Sequence, residues 1–241
     1  MAVKRQVSML DFKRFRVLTF DCYGTLIDWE EGIFSVLRPL LAAHGKNVDD
    51  ARVLELYSEL EAGAEQGTFR PYREVLQSVI VGFGRQLGFS PSEAELSSLA
   101  NSLAQWNPFV DTSKSLRRLQ TKHRLAIISN IDNDLFSATA PKLGVTFDRV
   151  VTAQQASCYK PGIQIFKMAL KELGVPAENV LHVGQSIYHD VIPAQSLGMG
   201  TVWVNRASPR PNAGAAKKAD GRPDLEVPDL RTLADLATQT A

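Results

Sequence analysis

Asp21 closes a short apolar run, Arg16-Val-Leu-Thr-Phe20, and opens the stretch Cys-Tyr-Gly-Thr-Leu-Ile-Asp28. The run is rich in β-formers, and Gly24 permits a tight turn after it, so the carboxylate is predicted at the carboxyl end of a strand. Ringed by turn amides, such a group suits a covalent nucleophile or a metal ligand. The plainer reading is a cap on the turn or helix that follows. Later apolar runs are followed by polar groups of complementary chemistry: Ser129-Asn130, Lys160 in Tyr-Lys-Pro, and Gly184-Gln-Ser-Ile-Tyr-His-Asp190. An ammonium from Lys160 would keep Asp21 ionised and could hold a substrate carboxylate. Ser129, Asn130 and the turn amides of Cys22 to Thr25 could donate to that carboxylate or to developing charge. A lysine at a helix start faces the positive end of the dipole, so Lys160 calls for a carboxylate partner. Ser129-Asn130 also fits a helix cap.

The elements that must carry these groups are legible from periodicity. Strands are predicted at residues 16–20, 125–128, 149–152, 180–183 and 201–204, with helices at about 113–122, 134–143, 161–173, 190–198 and 229–238. Near-continuous apolar strands alternating with helices predict a parallel sheet covered on both faces, which gathers strand ends at one edge. Between Asp28 and Pro108 the period is helical throughout. The stripes are Ile33/Leu37/Leu40/Leu41, Val53/Leu56/Tyr57/Leu60, Tyr72/Val75/Leu76/Val79/Ile80/Phe83 and Leu96/Leu99/Leu103. The last is opened by Ser90-Pro-Ser-Glu93, read as a capping box. These predict a four-helix bundle inserted after the first strand. The expected division is a core of residues 1–30 and 108–241 and a cap of 31–107.

Composition narrows the function classes. The chain has 241 residues, 44% hydrophobic and 22% charged, with a net charge of +1. Nothing in that balance advertises nucleic acid or a membrane surface as partner, and no apolar run is long enough to span a bilayer. Cys22 and Cys158 make neither a disulfide framework nor a metal cluster. A cytoplasmic protein is the expectation. Gly82, Gly84 and Gly88 fall inside a helical pattern with the wrong spacing for a dinucleotide loop. Residues 206–223 read as an exposed loop.

With its motifs in this order around an inserted helical cap, the sequence resembles the haloacid dehalogenase superfamily over nearly its whole length. Asp21-Cys-Tyr-Gly-Thr-Leu-Ile-Asp28 carries the resemblance, and Tyr23 is similar to the type II 2-haloacid dehalogenase branch, where superfamily phosphatases usually have a second aspartate. The resemblance implies a Rossmann-like α/β core, Asp21 as nucleophile, Ser129 and Lys160 orienting and neutralising charge, and Asp190 in the fourth motif. It also implies substrate contacts from Cys22, Tyr23, Thr25, Asn130 and Ser186. The implied activity is displacement of halide from a small 2-halocarboxylic acid, with no cofactor and no metal.

The sequence also departs from that pattern. A cap arginine that receives halide falls near Tyr57, with Arg70 or Arg73 as substitutes, and a tyrosine expected six residues after Lys160 is Phe166. The spacing from Gly184 to Asp190 is that of metal-dependent members, although Gln185 stands where those phosphatases have an aspartate. A Mg²⁺-dependent phosphatase of small organic phosphates is therefore the alternative, and a fold retained without catalysis is a third reading. His182 is read as a packed core residue, His189 as a surface or supporting group, and Cys22 as core-facing. Trp29, Tyr57, Phe69, Tyr72 and Trp106 are candidates for a pocket between cap and core or for ordinary packing. An exposed cap face could support a homodimer.

Overall fold

The structure, a computed structural model, describes residues 10–206 and 219–239. Strands β1 (Val17–Phe20), β2 (Arg124–Ser129), β3 (Arg149–Thr152), β4 (Val180–Gly184), β5 (Gly200–Val204) and β6 (Leu225–Val227) form one parallel sheet in the order β3-β2-β1-β4-β5-β6. β1 is central and buried at every residue, as expected for a strand covered on both faces. Its register pairs Phe20 with Ile127 on one side and Val183 on the other. The chain builds one half of the sheet through β3, then crosses β1 to build the other half from β4. That reversal opens a crevice at the carboxyl ends of the strands.

Helices α1 (Trp29–Ala43), α2 (Asp50–Ala64), α3 (Tyr72–Leu87), α4 (Glu93–Leu96) and α5 (Ser98–Ser102) follow β1 and form the cap. Helices α6 (Thr112–Gln120), α7 (Asn133–Thr139), α8 (Ala153–Ala156), α9 (Ile163–Leu173), α10 (Ile192–Ser196) and α11 (Leu230–Thr238) accompany the sheet. One hydrophobic core runs through both parts, from Leu18, Phe20 and Val183 to Ile33, Leu37, Val79 and Phe83.

Three differences from the sequence expectations have local causes. The fourth cap helix is broken, because the hydroxyls of Ser97 and Ser98 donate to the carbonyls of Ala94 (3.2 Å) and Glu95 (2.6 Å) and compete with the helical ladder. Its capping box is formed by Ser92 with Glu95, not by Ser90 with Glu93. Helix α9 begins at Ile163, so Lys160 and Pro161 lie in the loop before it. Strand β6 escaped the sequence reading because it is three residues long and only Val227 is buried. Most of the predicted 206–223 loop lies outside the described residues. Among the described residues, no helix is long and apolar enough to cross a membrane.

Candidate active site

Asp21 follows β1 directly, and its amide donates to Val183 O at 3.0 Å, which fixes it at the level where β4 ends. The turn beyond it is held by Gly24 N–H to Ile27 O at 2.8 Å, with Gly24 at φ +92°. A Cβ on Gly24 would lie 2.3 Å from Gln185 Oε1, so only glycine meets both the conformation and the close approach. On the other side of the crevice Gly184 serves a similar end: a Cβ there would fall 2.4 Å from Asp190 Cγ.

Lys160 is 2% exposed and its Nζ donates to Asp21 Oδ1 at 2.7 Å, to Asp190 Oδ1 at 2.7 Å and to Ile128 O at 3.1 Å. It is thus a buried cation bracketed by two carboxylates, with all its donors used. Thr25 Oγ1 donates to the other Asp21 oxygen at 2.7 Å and itself accepts from Gln185 N–H at 2.9 Å. Asp190 is supported from behind. Ser186 N–H donates to its Oδ2 at 3.2 Å, and His182 Nε2 lies 3.2 Å from its Oδ1 while Nδ1 lies 2.9 Å from Thr19 Oγ1. With Nε2–H donating to the carboxylate, Nδ1 accepts from the threonine hydroxyl, and every group in the row is satisfied.

The electrostatics follow from this arrangement. Burial pushes Asp21 above the ordinary carboxylate value, against the pull of Lys160 and the hydrogen bond from Thr25. Burial acts on Asp190 in the same sense, but the charge of Lys160 and the contacts of His182 overcome it and hold Asp190 well below that value. Lys160 would lose its proton more easily on burial alone; the two carboxylates reverse this and keep it charged.

These groups form the floor of a pocket between core and cap. Ser129, 1% exposed, lines it with an Oγ that has no hydrogen-bond partner. Asn130 accepts from Lys160 N–H at 2.7 Å and donates to Lys160 O at 3.2 Å and to Glu65 Oε1 at 3.3 Å. Tyr23, Ser186 and Asp190 also line the pocket. Cys22 and Thr25 are fully buried and do not line it: the threonine acts by holding Asp21, and burial pushes the Cys22 thiol far up. Tyr23 OH bonds Thr139 Oγ1 at 2.8 Å, so this ring is anchored to α7.

The cap side differs from expectation. Arg70 is spent on Ser78 Oγ (3.2 Å) and Ala64 O (2.9 Å), and Arg73 pairs with Asp134. Neither lines the pocket, so no arginine comes from the cap. The cap wall is instead Glu61 of α2 and Glu65, which caps the end of that helix, with Tyr72 of α3 and the indole of Trp29. Phe69 stacks on Tyr159 and the Trp106 ring packs over Gly32, as ordinary packing. His189 does reach the pocket, through Ser186 Oγ at 3.2 Å.

Among the described residues no group of carboxylates, histidines and cysteines is disposed to hold a metal ion. The donor set gives the reason. Lys160 Nζ occupies the Oδ1 atoms of both Asp21 and Asp190, and the neighbouring side chain is the neutral amide of Gln185. These residues do not fit a hard divalent cation.

A profile of haloacid dehalogenase-like hydrolases matches residues 15–198. The chain belongs to the haloacid dehalogenase-like hydrolase family. Among curated relatives, the (S)-2-haloacid dehalogenase of Pseudomonas fluorescens is 23% identical over 226 residues, covering 92% of this chain and 96% of that one. The glyceraldehyde 3-phosphate phosphatase of Methanothermobacter thermautotrophicus is 35% identical, but over 101 residues, 41% of this chain and 45% of that one. The solved L-2-haloacid dehalogenase of Xanthobacter autotrophicus superposes with a TM-score of 0.78 at 22% identity, over 94% of this chain and all of that one. The fold of this family member is therefore that of the dehalogenases, and the chain is a haloacid dehalogenase-type hydrolase.

Two features of the site were not found from sequence. His182 was read as core, and it is core, but it also orients Asp190; its place two residues before Gly184 on β4, facing Thr19 of β1, was the available signal. Glu61 and Glu65 were overlooked because they end an amphipathic stripe as ordinary charged residues would. Only the docking of α2 over the strand ends reveals them.

Proposed function

We propose that this family member hydrolyses a carbon–halogen bond in a small molecule of the 2-haloacid type through a covalent ester on Asp21, without a metal. The observation that carries this reading is a carboxylate held at both oxygens. Asp21 is buried at the pocket floor, with one oxygen on Lys160 and the other on Thr25, and the same ammonium takes Oδ1 of Asp190.

In the first step an Asp21 oxygen attacks the halogen-bearing carbon; the C–O bond forms and halide leaves with the bonding pair. Lys160 and Thr25 hold the carboxylate in one orientation, which supplies the positional part of the rate. In the second step water adds to the ester carbonyl, the bond to the original oxygen breaks, and the hydroxylated product departs. The net reaction consumes water and yields an alcohol, halide and a proton. Ser129 Oγ–H is a donor to the substrate or to the oxyanion of the second step. Each turnover leaves one solvent oxygen on Asp21.

Multiple turnovers of L-2-chloropropionate in water enriched in heavy oxygen should therefore label Asp21, read by intact-mass and peptide mass spectrometry. Asp21→Asn, with deamidation excluded, should lose both halide release and label. Full turnover by that variant would sink the covalent reading.

A further inference from the structure

A substrate in this pocket touches Asp21 at the floor and Glu61 and Glu65 at the cap wall. Glu61 Oε1 accepts from Tyr57 OH at 3.1 Å and from Tyr72 OH, and Glu65 Oε1 accepts from Asn130 Nδ2 at 3.3 Å. The second oxygen of each has no hydrogen-bond donor among the described residues. The opposing charge is already committed: among the described residues Lys160 is the only lysine or arginine lining the pocket, and its donors all end on Asp21, Asp190 and Ile128 O. Glu61 and Glu65 are the charges that the cap adds to the Asp21–Lys160–Asp190 row beneath them. With both glutamates ionised, a free carboxylate entering here meets an excess of negative charge and, among the described residues, no uncommitted cation. The unpartnered Ser129 hydroxyl, buried beside the same space, is a neutral donor and does not reverse that balance.

We propose that Glu61 and Glu65 determine substrate charge in this pocket, so that it accepts a halogenated molecule whose second polar group is an uncharged donor, such as an amide, over one bearing a free carboxylate. The proposal rests on the Asp21 reading above and moves its preferred substrate from the free 2-haloacid to an uncharged derivative of it. An amide offers N–H groups to the glutamate oxygens and a carbonyl to Ser129, which satisfies both walls at once. Burial pushes Glu61 up to about 7, and Glu65, raised by burial and by Glu61, also lies well above its ordinary value. The groups facing the pair include Tyr57, Tyr72, Tyr159, Tyr188, His189, Asn130, Asp21 and Lys160. As pH falls through Glu61's range the wall loses charge, and discrimination against the carboxylate narrows.

The test compares 2-chloropropionamide with 2-chloropropionate in kcat/KM at about pH 8, and lactamide with lactate as unreactive analogues by thermal-shift titration. The amide partner is expected to be preferred at least about tenfold in both, less so at about pH 5.5, and the preference should collapse in Glu61→Gln, Glu65→Gln and the double variant. Preference of the wild type for the carboxylate, or a ratio unmoved by the glutamine variants, would overturn the proposal. Should the double variant not fold, the single variants and the wild-type pH series carry the same comparison. Absence of Asp21 label with both chlorinated compounds would instead defeat the covalent reading, and the lactamide-to-lactate ratio would still decide the charge proposal.

Discussion

Lys160 is the residue on which the site depends most directly, because it neutralises two buried carboxylates at 2.7 Å each. Replacing it by methionine keeps the volume and leaves Asp21 and Asp190 facing one another without a counter-ion. Lys160→Met should lower stability by about 3–5 kcal/mol in denaturant titration, with turnover lost by at least about a hundredfold. Recovery of stability at low pH, where the carboxylates protonate, would accompany it; an unchanged midpoint at neutral pH would contradict the role. Asp21, Ser129, Asn130, Lys160 and Asp190 were all legible in sequence, since each lies directly after or just beyond a core strand and parallel topology brings strand ends together. The pairing of Lys160 with Asp21 was legible as well, but the second carboxylate it bonds, Asp190, was not. Sequence placed Lys160 near a helix start, and only the fold shows that it lies before α9 and turns inward.

The sheet was legible because its strands are apolar on both faces, and the cap because its stripes keep a helical period over three long helices. The break between α4 and α5 was not, because Ser97 and Ser98 are helix-neutral residues whose effect depends on where their hydroxyls point. The start of α3 holds the feature with the clearest test. Pro71 at its N-cap position supplies no side-chain acceptor. Asp132, from the loop after β2, takes that part across the cap–core boundary, accepting from Tyr72 N–H at 2.8 Å and Arg73 N–H at 3.0 Å. Asp132→Ala should cost about 1–2 kcal/mol in unfolding free energy, and amide exchange should quicken first in the opening turn of α3. Protection lost uniformly along the cap would speak against a local capping role.

At the scale of the whole molecule, buried ionisable groups set opposing limbs of stability against pH. Asp190 is held below its ordinary value of 3.8, so its contribution is present above that value and fades as pH falls below it. Glu61 is raised from 4.5 to about 7, so its contribution is present below 4.5 and is lost as pH rises through about 7. The melting temperature should therefore be higher at about pH 5 than at about pH 8, and Glu61→Gln should flatten that decline while leaving the acid limb in place. A wild-type and variant decline of equal size would assign the neutral limb to other groups. Nothing in the sequence pattern foretold this balance, since it comes from the meeting of α2 with the strand ends. The Asp132 bridge has a consequence for anyone recombining this family. The acceptors for the first two amides of a cap helix are stored in the other part of the chain. The cap is thus not an interchangeable cassette: grafted onto a relative lacking an acceptor at that loop position, α3 would arrive with its first amides unmet, and a chimera should carry Asp132 along with the helices.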